Sequence, residues 1–155
     1  MSEIFSNLPS TELVLLKGRY LFHQGDAVQY IFQILGGEVQ LFRRHRQGQK
    51  LILQRGLQGN ILAEASLFTD NYHCDAIASD HSGLRCYKRK DILLQFENDS
   101  AFAKRWANHL ASEVRAARFK AEILSQRTVA HRLEMWLLQN GTLPNKGRWH
   151  LLADE

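Results

Sequence analysis

Gly59-Asn60-Ile61-Leu62-Ala63-Glu64-Ala65-Ser66-Leu67-Phe68, followed by Tyr72-His73-Cys74-Asp75-Ala76, is the stretch on which the fold of this chain turns. It closes a run of short segments rich in aromatic and branched residues. Working outward on the N-terminal side, these are Leu13-Val14-Leu15-Leu16, Tyr20-Leu21-Phe22, Tyr30-Ile31-Phe32-Gln33-Ile34-Leu35, Glu38-Val39-Gln40-Leu41-Phe42 and Leu51-Ile52-Leu53. Turn signals separate them: Lys17-Gly18, Gln24-Gly25-Asp26, Gly36-Gly37, Gln47-Gly48 and Gln58-Gly59. In Glu38–Phe42 the alternation predicts Val39 and Leu41 on one face, with Glu38 and Gln40 on the other, as in a half-buried strand. Ala76-Ile77-Ala78 and Leu84-Arg85-Cys86-Tyr87 supply later strands. Glycines at such regular intervals suit a β-roll with tight corners.

Near Asp91 the period changes. Asp91–Phe96 fits a short helix, and Asn98-Asp99-Ser100 offers capping side chains for a long one. Trp106, Leu110, Val114, Ala117, Ala121 and Leu124 recur at three- or four-residue steps. This apolar stripe is longer than one roll can cover, and its alanines admit a close-packed neighbour. A partner helix is therefore expected. Thr128 to Gly141 fits a further helix, with Thr128 as N-cap, Gly141 just past the end, and an apolar face of Val129, Leu133, Trp136 and Leu137.

The 155 residues, 45% of them hydrophobic, suffice for one domain with an appendage, and the formal charge of +4 mildly favours anionic partners. Between Lys104 and Arg132 seven basic residues face only Glu113 and Glu122, the composition of a solvated helix face. Cys74 and Cys86 have neither metal-type spacing nor a disulfide framework. No apolar run is long enough to span a bilayer, and Met1–Phe5 lacks the features of a signal peptide. A reducing, cytoplasmic setting without membrane attachment is the expectation.

The order of signals resembles bacterial transcription regulators of the Crp/Fnr superfamily. The matching residues are Lys17-Gly18, Phe22-His23-Gln24-Gly25-Asp26, Tyr30 through Val39, Leu57-Gln58-Gly59-Asn60, the stretch that follows it, and the long helix. The resemblance implies a mostly β fold with C-terminal helices: a double-stranded, jelly-roll-like β-roll of the cyclic-nucleotide-binding type, followed by a long dimerisation helix. It divides the chain into a roll over residues 1–97, the dimerisation helix over 98–127, and the start of a winged helix-turn-helix domain over 128–155. On that reading Leu151–Glu155 opens the helix-turn-helix, and the chain stops before any base-reading residue. The implied partners are a second copy of the chain, DNA through the C-terminal domain, an unidentified small-molecule effector, and RNA polymerase.

Within that resemblance, Glu64, Ala65, Ser66, Cys74 and Asp75 occupy the phosphate-binding cassette. A short helix there turns its N–H groups toward an anion, and an arginine pairs with the cyclic phosphate. Here Cys74 stands in place of that arginine, Asp75 in place of a small hydroxyl residue, and Ala63 in place of the glycine before the glutamate. Glu64, which in the family can hold a ribose hydroxyl, is retained. A regulator that no longer answers to cyclic AMP or cyclic GMP is expected. The alternatives are a stand-alone cyclic-nucleotide-binding regulatory module and a haem-based nitric oxide sensor of the same superfamily.

His73 and Cys74 are the candidate haem ligands. Neighbouring residues on a strand point to opposite faces, so one iron is not reached by both from one side. The expectation is a small buried Cys74, an exposed His73, and no haem or other cofactor. The seven histidines include no His-x-His pair, which argues against a cupin-type metal enzyme. Neither a nucleophile-elbow nor a phosphate-loop motif occurs, and no enzyme activity is expected. Arg43-Arg44-His45-Arg46 reads as an exposed basic hairpin tip, with a polymerase subunit or DNA phosphate as alternative contacts.

Overall fold

The computed structural model describes residues 3–126 and 128–142. Its strands are Thr11–Leu15 (β1), Tyr20–Phe22 (β2), Tyr30–Gly36 (β3), Val39–Arg44 (β4), Lys50–Gly56 (β5), Ile61–Leu62 (β6), Asp75–Ala78 (β7) and Ser82–Lys88 (β8). They form two four-stranded sheets, ordered β1-β8-β3-β6 and β2-β7-β4-β5, and every pairing between them is antiparallel. The inward faces bury Ile31, Ile34, Val39, Leu62, Ala76 and Leu84 almost completely. This is the expected β-roll. The expected strands are all present. β6 is an addition, two residues long and held only by Phe32 opposite Leu62 and Gln33 opposite Ile61.

The half-buried alternation predicted for Glu38–Phe42 does not hold. Val39, Gln40, Leu41 and Phe42 are all buried. A bulge explains Phe42: Leu41 faces Gln54 and Phe42 faces Ile52, so Leu53 is passed over and the ladder slips by one residue. Gln40 is tolerated because its amide is satisfied. Its Nε2 donates to Glu38 Oε1 at 3.1 Å, and its Oε1 accepts from Lys50 Nζ at 2.7 Å.

Glu38 is the centre of that polar cluster. Its carboxylate accepts from Ser79 Oγ at 2.7 Å and pairs with Arg55 Nη1 at 3.0 Å, and the two charged side chains are only 14% and 11% exposed. Burial by itself pushes the Glu38 carboxyl up, but the hydrogen bonds from Ser79 and Gln40 and the Arg55 charge outweigh it and hold the group below its usual range. A carboxyl depressed in the folded state stabilises the fold above its unfolded pKa and loses that contribution as pH falls through the folded value. The urea midpoint should therefore drop between about pH 5 and 3, and Glu38→Gln should flatten that part of the profile. An unchanged profile in the variant would contradict this role.

Helices follow the roll: Arg89–Asn98 (α1), Ser100–Ser125 (α2) and Val129–Asn140 (α3). Asp99 caps α2, its Oδ1 accepting from Phe102 N at 3.0 Å. Thr128 caps α3 by accepting from His131 N at 3.1 Å, and Gly141 takes the left-handed conformation after its last turn. Among the described residues no helix is long and apolar enough to cross a membrane.

The chain divides into two compact units, Met1–Ala103 and Lys104–Glu155, so that α2 begins in the first and ends within the second. Leu151–Glu155, read from sequence as the opening of a helix-turn-helix, lies outside the described residues.

Candidate effector-binding site

The cassette hangs between β6 and β7. After Leu62 the backbone enters a left-handed residue, Ala63 (φ 67°, ψ 12°), and then a 3-10 turn over Glu64–Ser66. Ala63 is the one non-glycine residue with positive φ among those described. The turn needs the conformation that glycine adopts freely, and the chain achieves it with alanine at a cost of about 1–2 kcal/mol. Relief of that cost should offset the lost methyl and added chain entropy, so Ala63→Gly should change stability by less than about 0.5 kcal/mol in urea unfolding. Ala76→Gly, fully buried in an extended strand, should lose at least about 1 kcal/mol. Equal losses at the two positions would contradict the assignment of strain to Ala63.

Backbone pairing zips the far side of the cassette to the β2–β3 loop. Val28 N donates to Asp70 O at 2.9 Å, Tyr72 N to Asp26 O at 2.9 Å, and Gly25 N to Tyr72 O at 2.9 Å. Tyr72 is further fixed by stacking on Phe22 with centroids 3.8 Å apart, and by donating to Tyr30 O at 2.8 Å. This clamp delivers His73 and Cys74 back toward the 3-10 turn.

Ser66 Oγ and His73 Nδ1 are hydrogen-bonded at 2.9 Å, so the cassette turn and the segment after it close on each other. His73 is therefore half-buried rather than exposed as expected, and burial, aided by the Arg43 charge, holds its imidazole below the usual range. Glu64 is 8% exposed and Cys74 1% exposed. The Cys74 thiol is pushed up to about 11, chiefly by burial, with the Asp75 and Glu64 carboxylates adding and Arg43 opposing. At neutral pH it is a protonated, buried apolar group. Ala65 is exposed.

Asp75 is turned elsewhere. Its Oδ1 accepts from Gln24 N at 2.9 Å and lies 3.5 Å from His23 Nδ1. The nearby cation comes from β4. Arg43 Nε donates to the His73 carbonyl at 2.7 Å, so Arg43 belongs to a strand that reaches the cassette. The basic tip read from sequence is thus split: Arg43 and Arg44 end β4, and only the turn from His45 to Gln49 projects beyond it. Sequence spacing gave no sign of the Arg43 contact, which joins residues 30 apart.

Of the apolar stripe, Trp106 is 1% exposed, whereas Val114 and Leu124 are 48% and 52% exposed. Leu110 is half-buried, and Ala117 and Ala121 are exposed. Ile123, outside the stripe, is the buried apolar residue of the last turn of α2. Among the described residues no group of three or more His, Cys, Asp or Glu side chains is placed to hold a metal ion.

Residues 12–99 match the family described as cyclic nucleotide-binding domain. The Cyclic AMP receptor protein of Thermus thermophilus is 29% identical over 124 residues, 79% of this chain and 57% of that protein. This chain therefore spans little more than half of that relative's length. FixK2 from Bradyrhizobium japonicum has the same fold, with a TM-score of 0.74 at 22% identity over 85% of this chain and 66% of that one. The sensor domain of the transcriptional regulator DNR from Pseudomonas aeruginosa superposes with a TM-score of 0.60 at 29% identity, covering 67% of this chain and 74% of that domain.

Proposed function

This chain belongs to the cyclic nucleotide-binding domain family, and from that premise we propose that it is the effector-sensing and dimerisation region of a Crp/Fnr-type DNA-binding transcription regulator whose signal is not a cyclic nucleotide. The observation that carries the second half is the neutral, buried Cys74 thiol at the position of the phosphate-pairing arginine. A cyclic phosphate seated there meets no cation from that position. The missing charge-assisted pair is worth on the order of 3–5 kcal/mol. Arg43 does not stand in for it from the same place: it comes from β4 and reaches the segment through the His73 carbonyl. The frame itself, a left-handed residue before a short turn with a buried Glu64, is kept. The site is thus preserved in shape and altered in charge.

Haem is not the replacement signal that these residues favour. The thiol of Cys74 stays protonated and buried, which opposes its ligation to iron.

The route from cassette to long helix is short. Arg89, at the start of α1, donates from Nε to the carbonyl of Leu67, which ends the 3-10 turn, at 2.8 Å. Phe68 meets Phe96 of α1 edge to face at 5.5 Å, and Phe96 meets Phe102 of the first turn of α2 at 5.1 Å. An effector that moves the cassette would bias the seating of Phe96 and Phe102, and with it the pairing of two α2 helices. The exposed Val114, Ala117, Ala121 and Leu124 fall at steps of three and four residues, the spacing of a two-stranded helical seam. Sedimentation velocity on the 155-residue chain should give a dimer, and a monomer at high micromolar concentration would contradict the assembly.

A further inference from the structure

Two cavities of the roll, neither lined by Glu64, Ser66 or Cys74, share Gln29 and Tyr30 in their walls. One, of about 460 Å³, is lined by the aromatic residues Phe22, Phe32, Tyr30 and Tyr72, with Asp26. The other, of about 330 Å³, is lined by Lys88, Arg89 and Lys90 at the junction of β8 and α1, with Val28 and Leu93. Both volumes fall in the range of small-molecule sites.

The basic residues lack counter-ions. Among the described residues neither Lys88 nor Lys90 has an acidic partner, and Arg89 uses only Nε, on Leu67 O. Three consecutive cations around one cavity without a carboxylate make a local positive potential that an anion relieves. The Asp26 carboxylate, held by the N–H of His23 at 2.9 Å, puts the opposite sign in the aromatic cavity. A ligand spanning both therefore carries its negative charge at the basic end only and presents a flat body without negative charge at the other.

We infer that these joined cavities form a second ligand site, separate from the cassette, for a small monoanion with an aromatic or flat apolar body. Its anionic group sits among Lys88, Arg89 and Lys90, and its body lies along Tyr30 toward Phe22 and Tyr72. Because Arg89 also holds the cassette through Leu67, a ligand there acts on the same link that joins cassette to α1.

The test uses 1-anilinonaphthalene-8-sulfonate as probe and N-phenyl-1-naphthylamine, the same body without the sulfonate, as control. The sulfonate should bind the 155-residue chain saturably at one site, more weakly as salt rises. Lys88→Glu with Lys90→Glu, both exposed, should weaken it about tenfold and change the control less than twofold. Arg43→Gln should leave it unchanged. Amide shifts on titration should centre on Gln29, Tyr30 and the stretch from Lys88 to Leu93. Equal effects of the charge reversal on both compounds, unsaturable binding, or shifts centred on Glu64, Ser66 and Cys74 would overturn the assignment.

Discussion

Gly37→Ala is expected to destabilise the roll by more than about 3 kcal/mol, a large fraction of the stability of a domain this size. Gly37 sits at φ 82° in the tight turn between β3 and β4. An added Cβ would strike the carbonyl oxygen of His81 and come within 2.5 Å of Ser82 Oγ and 2.7 Å of Ser82 Cα. Two of those atoms are backbone and cannot turn aside. Ser82 is fully buried; its single hydroxyl proton has the carbonyl of Asp80 at 2.8 Å and that of Glu38 at 3.1 Å as acceptors, and its oxygen accepts from Glu38 N at 3.1 Å. Displacing it would unpair buried groups beside the Glu38–Arg55 pair. Gly48→Ala is the matched control. Gly48 has φ 80° but nothing within 4 Å of the added carbon, so only the left-handed strain of about 1–2 kcal/mol applies. Urea unfolding of the two variants separates close packing from conformational strain. Equal losses would refute the packing account.

Ala117→Glu should raise the dimer dissociation constant by more than about a hundredfold while leaving the monomer folded. Ala117 is exposed in the single chain, so the substitution removes nothing from the core. In the paired helices it would put a carboxylate, desolvated and without a partner, at the point where two backbones approach most closely. The matching charge on the second copy would double the effect, since a two-fold axis brings each residue near its own image. Circular dichroism should stay β-rich while sedimentation shifts to monomer. A variant that dimerises as the parent does would place the interface elsewhere.

Much of the roll was legible in the sequence because its corners carry glycine and its strands are short apolar runs between them. The signal is local. Gly25, Gly37 and Gly59 all occupy left-handed corners, and the strands between them follow directly. What escaped was non-local or too small. β6 offers two residues, too few for any period, and lay hidden in the cassette. The bulge opposite Phe42 depends on register with β5 and leaves no mark in β4 itself. Arg43 looked like part of a loop tip because its partner, the His73 carbonyl, is a backbone group that no residue type reveals. Asp75 appeared to face the cassette, but its hydrogen bond is to Gln24, 51 residues earlier. The cassette was recognisable by residue type at Glu64 and Cys74, and the strained Ala63 followed from the absence of glycine there. The closure of Ser66 on His73 required coordinates.

The central claim is that the cassette keeps its frame and has lost its cyclic-phosphate partner. Titration calorimetry of the 155-residue chain with cyclic AMP and cyclic GMP tests it most directly. No saturation is expected up to about 100 μM nucleotide, since losing about 3–5 kcal/mol weakens a micromolar site to between roughly 0.1 mM and a few millimolar. The double substitution Cys74→Arg with Asp75→Ser, titrated beside it, supplies the missing cation and should bring back weak binding. Saturable, low-micromolar binding of either nucleotide to the unaltered chain would contradict the claim.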